Sequence, residues 1–455
     1  MDDLLARAAG VAAAYRAGLA AQPVRAALTD DAVRAAFDGP LPRTPTPAAE
    51  VVEELIAAAA GGLVATAGPR YFGFVVGGAL ASSTAAEVLA AGWDQNAMNA
   101  VLSPAGAAAE AVAGRWITEL LGLPAGATVG FVTGGQAANT VGLAAARHDV
   151  LARAGWDVER DGLAGAPRVR VVAGAERHAT IDRALRLLGL GTAAVEEVAP
   201  DANGAIDVAD LRRVLAAGPP GPLIVALQSG NVNTGACDDL RAAIPLAREH
   251  GAWVHVDGAF GLWAGASPAH AHLVDGVELA DSWGCDGHKW LNLPYDCGFA
   301  ICAHPQTHVA ALSYTAAYLV GSGSAQPAPG DLTAESSRRA RGFAAWAAVR
   351  ELGADGVADL VARCCTLAGR FAAGLAAGGA EIGNDVVLNQ VLARFGDDAR
   401  TDAVIDAVQR DGTCWFGGTT WRGRRWIRVS VSNATTTERD IDRSVAAVLR
   451  AATAA

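Results

Sequence analysis

Two side chains stand out for the chemistry that their types and surroundings allow, and each follows a short apolar run. The single lysine, Lys289, lies beside His288 in the stretch 281–297, and Asp257 ends the apolar run 252–257. Partial burial lowers the pKa of an ammonium group and makes the amine nucleophilic enough to form a Schiff base, whereas a lysine that reaches solvent gains no such reactivity. A carboxylate at the end of an apolar strand is costly to bury unless it faces a cation. The pair predicts a nucleophilic amine and a carboxylate that faces a bound cation.

The order of the residues around the lysine is a more specific signal of function than the presence of a lysine beside a histidine. It has the pattern Ser-x-x-x-Asp-x-His-Lys-Trp at 282–290, followed by Tyr-Asp-Cys-Gly at 295–298. This pattern resembles the lysine segment of the group II pyridoxal 5'-phosphate (PLP) amino-acid decarboxylases, a family that includes the aromatic amino-acid and glutamate decarboxylases. The resemblance implies PLP as the cofactor, Lys289 as the residue that binds it covalently and His288 as a contact of its phosphate.

The run that ends at Asp257 also resembles this family, which has Val-Asp-Ala followed by Ala or Ser at the same place. Here Gly258 replaces the usual Ala, and Ala259 follows it. The resemblance implies that Asp257 faces the protonated pyridine nitrogen, where a carboxylate keeps the ring cationic and a strong electron sink. It also implies that Ala259 lies against the ring. A capping aspartate in a turn is the alternative.

A Gly-rich turn over 133–137 joins a predicted strand over 129–132 to a predicted helix over 140–155. Glycines permit a tight turn with exposed N–H groups, and the start of a helix carries partial positive charge, a combination that binds phosphate. The spacing of the glycines differs from that of a dinucleotide-binding turn. The Gly-Gly-x-x-x-Asn pattern, which ends at Asn139, resembles that of the family and implies that Gly135, Gln136 and Ala137 hold the phosphate, mostly through backbone N–H groups.

Further cofactor contacts are implied by the resemblance. His178 and Thr180 occupy the family's His-x-(Ser/Thr) position, which implies that the imidazole stacks on the pyridine ring. A histidine with a purely structural role is the alternative. The family usually has Gly-Thr-Thr where this chain has Gly230-Asn231-Val232, and Asn231 is expected to replace the missing hydroxyl with its amide.

Substrate contacts are predicted in two places. The aromatic segment around Phe72 and Phe74 contributes to the substrate pocket in related decarboxylases, so both are candidates for recognising the substrate side chain. Near the C-terminus, Arg428 and Asn433 match an Arg-x-x-x-x-Asn pattern of the family that implies a forked contact with the substrate carboxylate. The two phenylalanines favour an aromatic or apolar substrate, whereas the arginines within 422–425 would favour an acidic one.

One segment departs from the family in a way that bears on the product. Group II decarboxylases carry a mobile loop after Ala-Tyr-Leu, and a tyrosine in that loop protonates the substrate carbon after CO2 leaves. This chain has Ala-Tyr-Leu at 317–319, but the Gly- and Ser-rich stretch 321–330 has no tyrosine. Protonation would then come from another residue, from water or from the partner chain. The alternative outcomes are oxidative deamination to an aldehyde, transamination, or aldolase-like carbon–carbon chemistry.

A zinc site is an alternative use of the lysine segment. Cys285 and His288 have a zinc-like Cys-x-x-His spacing, and Cys297 follows nearby. A fourth ligand is not evident, and the Lys289 ammonium would lie beside the metal cation. The sequence therefore predicts no metal.

Composition limits the partners that the chain can have. The 455 residues are 52% apolar and carry a net charge of −11, which argues against nucleic acid or an anionic membrane as the main partner. Long apolar runs are interrupted by charges and breakers, so no membrane-spanning helix is expected, and the start at 1–3 lacks the basic residues of a secretory signal. Seven irregularly spaced cysteines suit a reducing cytoplasm better than a disulfide framework.

The resemblance extends over roughly residues 70–450 and implies PLP-dependent transferase fold type I, the fold of aspartate aminotransferase. The expected α/β architecture is a large domain with a mostly parallel seven-stranded sheet and a small C-terminal α/β domain. We predict an N-terminal helical arm at 1–95, a large PLP-binding domain at 96–350 and a small domain at 351–455. Within the arm a helix is expected over 48–60, and Thr435 with Glu438 is expected to cap the last helix. The family works as a homodimer with its active sites at the interface, so the arm is expected to pack across a partner chain.

The resemblance as a whole implies an enzyme, a PLP-dependent carboxy-lyase. Its expected reaction is decarboxylation of an L-amino acid to the amine and CO2 through a Schiff base at Lys289. A non-catalytic binding or regulatory homologue is the alternative from a different class, and the joint retention of Lys289, Asp257 and His178 argues against it. The identity of the amino acid does not follow from the sequence.

Overall fold

The larger of the two sheets carries the predicted site residues at one of its edges. The computed structural model describes residues 2–193, 195–314 and 327–455. The strands of this sheet are β1 Thr128–Val132, β2 Arg170–Gly174, β3 Val195–Val198, β4 Leu223–Gln228, β5 Trp253–Asp257, β6 Ser282–Asp286 and β7 Gly298–Cys302. They lie in the order β1-β7-β6-β5-β4-β2-β3, and all run in the same direction except β7. The predicted mostly parallel seven-stranded sheet is confirmed.

Three helices precede the large domain and leave apolar side chains uncovered. They are α1 Asp2–Gly18, α2 Asp30–Phe37 and α3 Ala48–Ala60. The predicted bounds of α3 are confirmed, since Pro47 precedes the helix and Gly61 follows it. Neither α2 nor α3, which the structure describes in full, has a buried residue in the single chain. The exposed apolar side chains of this region include Leu5, Phe37, Val51 and Leu55.

Eight further α-helices lie between residues 81 and 312 of the described chain. They are α4 Ala81–Trp93, α5 Pro104–Leu120, α6 Gly135–Arg153, α7 Val158–Asp161, α8 Ala179–Leu187, α9 Val208–Ala217, α10 Leu240–Glu249 and α11 Pro305–Leu312. Helix α6 contacts β5, β6 and β7 through a face of small and apolar residues. It begins at Gly135 and not at residue 140 as predicted, because the residues after Gly134 already form its first turn. The N-termini of α5, α9 and α10 are capped by the side chains of Ser103, Asp207 and Asp239, respectively.

A four-stranded antiparallel sheet forms the small domain. Its strands are β8 Glu381–Ile382, β9 Gln390–Arg394, β10 Gly417–Trp421 and β11 Arg424–Ser430, in the order β10-β11-β9-β8. The remaining helices are α12 Gly342–Ala377, α13 Asp398–Asp411 and α14 Glu438–Ala454. Thr437 caps α14 in a capping box with Asp440, whereas the sequence predicted Thr435 for this role. That prediction is wrong because the Thr435 hydroxyl donates to Asn433 Oδ1.

The longest helix, α12, joins the two domains. It contacts α4 and α5 on the large-domain side and α14 and β9 on the small-domain side. Gly353 interrupts it with φ 62° and ψ −179°, close to the predicted domain boundary at 350–351. Among the described residues, α12 is the one helix long and apolar enough to cross a membrane by length and composition. Half of that stretch is buried inside the protein, which makes it weak evidence for a membrane span.

The carboxyl ends of the parallel strands meet at one edge of the large sheet. The turn after β1 leads into α6, Asp257 is the last residue of β5, and His178, Asn231 and Lys289 lie in the segments that follow β2, β4 and β6. Ligands of open α/β sheets bind at this edge, outside the carboxyl ends of the strands. The topology therefore brings residues that are far apart in the sequence to one place.

Candidate active site

Lys289, the only lysine of the chain, lies in the turn after β6 with its ammonium group near two carboxylates. Its Nζ is 2.8 Å from Asp286 Oδ2, and its side chain is 20% exposed. Burial lowers the pKa of Lys289, but the charges of Asp286 and Asp257 outweigh burial, and the pKa is raised above its ordinary value. The sequence-based expectation of a lowered pKa is wrong, because it took no account of Asp286.

The side chain of Asp286, the last residue of β6, lies at the start of α6. Its side chain is 2% exposed, and its Oδ1 accepts a hydrogen bond from the Gly135 N–H at 2.5 Å. The same oxygen lies 3.4 Å from His288 Nε2. A Cβ on Gly135 would lie 2.7 Å from Asp286 Oδ2 and one on Gly134 would lie 2.7 Å from His288 Cε1, so a larger residue at either position would displace these side chains. The first N–H group of the predicted phosphate cradle is therefore bound to a carboxylate of the protein itself.

The other two residues of the predicted cradle complete the first turn of α6. The Gln136 side-chain amide donates to the Thr180 carbonyl oxygen at 3.2 Å and to the Thr140 hydroxyl at 3.3 Å. The Ala137 methyl group packs against an apolar cluster that includes Val132. N–H groups in the first turn of a helix lack partners within that helix, which suits a phosphate contact through the backbone. The contact itself stays a prediction.

His288 packs beside the start of α6 and is oriented by the strand that follows. The Cys297 N–H donates to His288 Nδ1 at 3.2 Å, which leaves the proton of the neutral ring on Nε2. Burial lowers the pKa of His288 against the opposing charge of Asp286, and so favours the neutral imidazole. Its Nε2–H is therefore a donor near the α6 N-terminus, as a phosphate contact would require.

Asp257, Thr180 and His178 lie together and are linked by hydrogen bonds. Asp257 is buried at the end of β5, its Oδ1 accepts from the Ala259 N–H at 3.2 Å, and its Oδ2 is 3.4 Å from Thr180 Oγ1. Thr180 Oγ1 is 2.9 Å from His178 Nδ1. Burial lowers the pKa of His178, against the opposing charge of Asp257, and so favours the neutral imidazole. The structure thus brings four of the predicted cofactor contacts into one group.

A buried chain of hydrogen bonds supports Thr180 from behind, and most of it was not predicted. Asn139 Nδ2 donates to Thr180 Oγ1 at 3.1 Å, and Asn139 Oδ1 is 3.1 Å from His255 Nε2. His255 Nδ1 is 2.9 Å from Ser282 Oγ, which accepts from Trp253 Nε1–H at 2.9 Å. Burial lowers the pKa of His255 to about 3, so the ring is neutral and its partners fix the proton on Nε2. Asn139 and Ser282 each belong to a motif that the sequence displayed, but nothing in the sequence indicated that hydrogen bonds through His255 link them.

Asn231 supports a loop and does not present its amide to the site. Its buried Nδ2 lies 3.4 Å from the Glu176 carbonyl oxygen and 3.5 Å from that of Gly204. Its Oδ1 accepts from the N–H groups of Asn233 at 2.9 Å and Thr234 at 3.3 Å. Both polar atoms of this amide have partners within the protein, and the predicted cofactor contact of Asn231 stays a prediction.

The two predicted aromatic contacts have different environments. Phe72 is 1% exposed and packs edge-on against Phe371, with ring centroids 5.3 Å apart. The ring belongs to the hydrophobic core of the single chain, and its predicted contact with the substrate stays a prediction. Phe74 is 65% exposed and stacks on Trp415 with centroids 5.5 Å apart. Its role in substrate recognition stays a prediction.

The end of the segment 70–78 runs along the lysine turn. A Cβ on Gly77 would lie 1.8 Å from the Lys289 carbonyl oxygen, so the backbones touch where only glycine fits. Asn292, just after Lys289, accepts from a backbone N–H of this segment at 2.6 Å and from the Ala434 N–H at 2.8 Å. Asn292 therefore ties the N-terminal segment and the small domain to the turn that carries the lysine.

Arg428 brings a cation from β11 to the site. Its Nη1 donates to the Val232 carbonyl oxygen at 3.0 Å, and within the described ranges no carboxylate forms an ion pair with it. Burial lowers the pKa of Arg428, although a guanidinium stays charged in proteins. The positive charge of Arg428 also lowers the pKa of His178. The remaining donors suit a carboxylate. Asn433 does not join them, since its amide donates to the carbonyl oxygens of 67–68.

Aromatic rings flank the lysine turn on the side of His288, and they were not predicted. Tyr295 packs on His288 with ring centroids 4.5 Å apart, and Tyr71 stacks on Trp415 at 5.0 Å. Burial raises the pKa of both tyrosines to about 12, so both phenols are protonated at neutral pH. Nothing in the spacing of these rings along the chain shows that they meet.

Two further expectations bear on the same region. The stretch 317–319 and most of the loop without tyrosine, 321–330, lie outside the described residues. The described ranges contain no group of His, Cys, Asp and Glu side chains that could hold a metal ion, so they give no support to the zinc alternative. Cys285 and Cys297 belong to the main hydrophobic cluster, and burial raises the pKa of both thiols.

Comparison with known proteins settles the family. Residues 31–394 match the family described as the pyridoxal-dependent decarboxylase conserved domain. The chain belongs to the pyridoxal-dependent decarboxylase family. Its cofactor is PLP, and both the family and the cofactor predicted from the lysine segment are confirmed.

Individual members of the family show the extent of the similarity. Tryptophan decarboxylase 1 of Oryza sativa subsp. japonica is 29% identical over 321 residues, which are 66% of this chain and 62% of that protein. Cysteine sulfinic acid decarboxylase of Homo sapiens is 29% identical over 237 residues, 51% of this chain and 47% of that protein. The matched part is thus less than two thirds of the length of these relatives. The structure of Oryza sativa TDC with PLP and tryptamine has a TM-score of 0.91 at 22% identity and covers 100% of this chain and 97% of that one, which confirms fold type I.

The residues at the sheet edge fit PLP with one exception. Lys289 would supply an amine, Asp257 a carboxylate for the ring nitrogen and His178 a neutral ring for stacking. The first turn of α6 and His288 would supply N–H donors for a phosphate. The exception is Asp286, whose carboxylate already holds the first N–H group of α6.

Proposed function

We propose that this chain is a PLP-dependent carboxy-lyase that removes the carboxylate of an L-amino acid as CO2 and releases the amine. The observation that carries the proposal is the meeting of the only lysine with Asp257 and His178 at the carboxyl edge of the sheet. Membership of the pyridoxal-dependent decarboxylase family supports the reaction class. Aromatic and acidic amino-acid decarboxylases both occur among the relatives, so the substrate is stated no more finely than an L-amino acid.

The residues of the large domain divide the work on the cofactor. When bound, PLP supplies a cationic ring that stabilises the negative charge left on the substrate carbon as CO2 departs. Lys289 Nζ is the amine that attaches to the cofactor aldehyde. The buried Asp257 carboxylate holds a proton at the ring nitrogen, and His178 offers a flat neutral face whose orientation Thr180 fixes through Nδ1.

The remaining groups bind the two anions of the complex. The first turn of α6 and His288 Nε2–H donate to the phosphate. Arg428 has guanidinium donors left over for the substrate carboxylate, and a forked contact would orient the bond that breaks. Tyr295, protonated and beside His288, is a proton donor within the described chain that could act in place of a loop tyrosine.

We propose as well that the protein works as a homodimer in the cytoplasm. The uncovered apolar side chains of α1, α2 and α3 support a second copy as their cover. All seven cysteines are free, which suits a reducing compartment. The net charge of −11 supports a small-molecule partner over nucleic acid or an anionic membrane. Light scattering that gives the mass of one chain would contradict the dimer.

The reaction is tested by incubating PLP-loaded protein with each L-amino acid and measuring CO2, amine, aldehyde and ammonia together. Amine in the same amount as CO2 for one substrate is the expected result. Aldehyde and ammonia in place of amine would move the protein to oxidative chemistry. Absence of CO2 with every amino acid, despite bound PLP, would contradict the proposed reaction.

The single lysine makes the attachment site easy to establish. Reduction of the PLP-loaded protein with borohydride should add the cofactor mass to the peptide that contains Lys289 and to no other internal peptide. Lys289→Arg is the matched control, because it keeps a cation beside Asp286 and removes the primary amine. This variant should take up no reducible cofactor and release no CO2. Turnover at the native rate would contradict the role of Lys289.

A further inference from the structure

A protein carboxylate stands where the proposed function needs a phosphate. Asp286 Oδ1 accepts from the Gly135 N–H at 2.5 Å, and Asp286 Oδ2 is 2.8 Å from Lys289 Nζ. One buried side chain therefore engages both the start of α6, where the phosphate is expected, and the amine that attaches to the cofactor.

The backbone around Asp286 gives the side chain a fixed base. Asp286 is the last residue of β6 and pairs with Gly298 of β7. Its N–H donates to the Ala259 carbonyl oxygen at 2.9 Å, and its own carbonyl oxygen accepts from Trp263 Nε1–H at 3.1 Å. With the backbone held on both sides, only rotation of the side chain can take the carboxylate away from α6.

Two anions at one helix start oppose each other. The partial positive charge of a helix N-terminus and its free N–H groups favour one bound anion. A second negative charge a few ångströms away, in a partly buried site, changes a binding constant by about tenfold or more. His288 Nε2–H lies 3.4 Å from Asp286 Oδ1 and would have to serve both groups.

We propose that Asp286 competes with the cofactor phosphate for the start of α6 and so sets the affinity of this chain for PLP. In the free protein the Asp286 carboxylate also forms an ion pair with the Lys289 ammonium. When the phosphate displaces this carboxylate from α6, the ammonium is released. Asp286 is thus a specificity-determining residue that reduces the advantage of a phosphorylated cofactor over an unphosphorylated one. This inference rests on the proposed use of PLP at this edge of the sheet.

The test compares the binding of PLP with that of pyridoxal, which lacks the phosphate, to the native chain and to Asp286→Asn. An amide keeps an oxygen for the Gly135 N–H, removes the negative charge and offers a donor to a phosphate. Loss of the ion pair changes Lys289 equally for both ligands, so the ratio of the two dissociation constants isolates the phosphate. The expected result is an increase in the preference for PLP over pyridoxal of about tenfold or more.

Asp281→Asn is the matched control. Asp281 is also a buried carboxylate that accepts a backbone N–H, from Val254 at 2.8 Å, but it precedes β6 at the strand end away from the site. The ratio should be unchanged in this variant. If Asp286→Asn does not fold, as judged by circular dichroism, Asp286→Ser removes the same charge with a smaller side chain and takes its place.

Each outcome has a distinct meaning. An unchanged ratio in folded Asp286→Asn, or an equal gain for both ligands, would overturn the competition with phosphate and leave the proposed function intact. A native chain that binds neither PLP nor pyridoxal would overturn the proposed function instead. The readout is the absorbance of bound ligand, so no turnover is needed.

Discussion

The large and small domains contribute to the candidate site in different ways. His178, Thr180 and Asp257 of the large domain are joined by hydrogen bonds to one another and, through Asn139, to a buried network. Arg428 of the small domain has a single hydrogen bond to the described chain, to a backbone oxygen. The cofactor side is therefore held in one arrangement before any ligand binds, whereas the substrate side keeps free donors. This difference suggests that cofactor chemistry is fixed by the fold and substrate choice is not.

The largest effect on turnover, after loss of Lys289, is expected for Asp257→Asn. The amide keeps the size of the side chain and loses the charge that would hold the ring proton, so kcat should fall by about 10²–10³-fold. PLP should still bind, as its absorbance will show. Asp238→Asn is the control, because Asp238 is likewise buried but binds the N–H groups of Ile206 and Gln228. An equal loss of kcat in both variants would show that loss of a buried charge, and not the position of Asp257 at the cofactor, causes the effect.

A smaller loss is expected for Thr180→Val, which keeps the shape of the side chain and removes its hydroxyl. The hydroxyl orients His178 and receives the Asn139 amide, so its loss should lower kcat by about tenfold. Thr180→Ser should restore most of the activity, which a purely steric role would not allow. Thr366→Val, on the exposed surface of α12, is the matched control and should leave kcat unchanged.

On the small-domain side, Arg428→Lys is expected to act mainly on substrate binding. A lysine keeps the charge but cannot form the forked contact, so KM should rise by about tenfold with a smaller change in kcat. Arg424→Lys is the matched control on the same strand, since Arg424 is exposed and pairs with Glu381. A fall in kcat with unchanged KM would show that Arg428 belongs with the cofactor groups.

The smallest effect on turnover at neutral pH is expected for changes in the buried network around His255. Such changes should instead alter the free energy of unfolding. The unfolded chain protonates His255 below about pH 6.5, whereas burial lowers the folded pKa to about 3. Stability should therefore be complete above pH 6.5 and fall as the pH drops towards 3, by about 1.4 kcal/mol per pH unit from this residue. The free energy of unfolding, measured against pH, should be less steep in His255→Gln than in the exposed control His272→Gln. Equal slopes would contradict the buried neutral ring.

The sequence predicted those parts of the site whose signal lies in neighbouring residues. The strand that ends at Asp257, the Gly-Gly turn and the lysine segment each combine an apolar run with a chemical group, and β5 and the turn after β6 lie where they were expected. Parallel strands then bring these ends together, because connections in α/β folds return each strand to the same edge.

Local sequence patterns give the least information where partners distant in the sequence decide how a side chain is used. The amide of Asn231 lies beside the carbonyl oxygens of Glu176 and Gly204. The ring of Phe72 packs edge-on against Phe371 of α12. The pKa of Lys289 was predicted from burial alone, and Asp286 reverses its direction. Each partner lies on a different element, where local patterns give no information.

The hydrogen bonds of Asn292 limit how this protein can be taken apart. Besides the two N–H groups that it accepts, its amide donates to the Ser432 carbonyl oxygen at 2.9 Å, so the link to the small domain has two bonds. An engineer who replaces the small domain to change substrate choice would therefore have to transplant 432–434 and the glycines at 77–78 as a set. Swapping the domain at residue 351 with a mismatched partner would disturb the turn that holds the lysine, however well the new substrate fits.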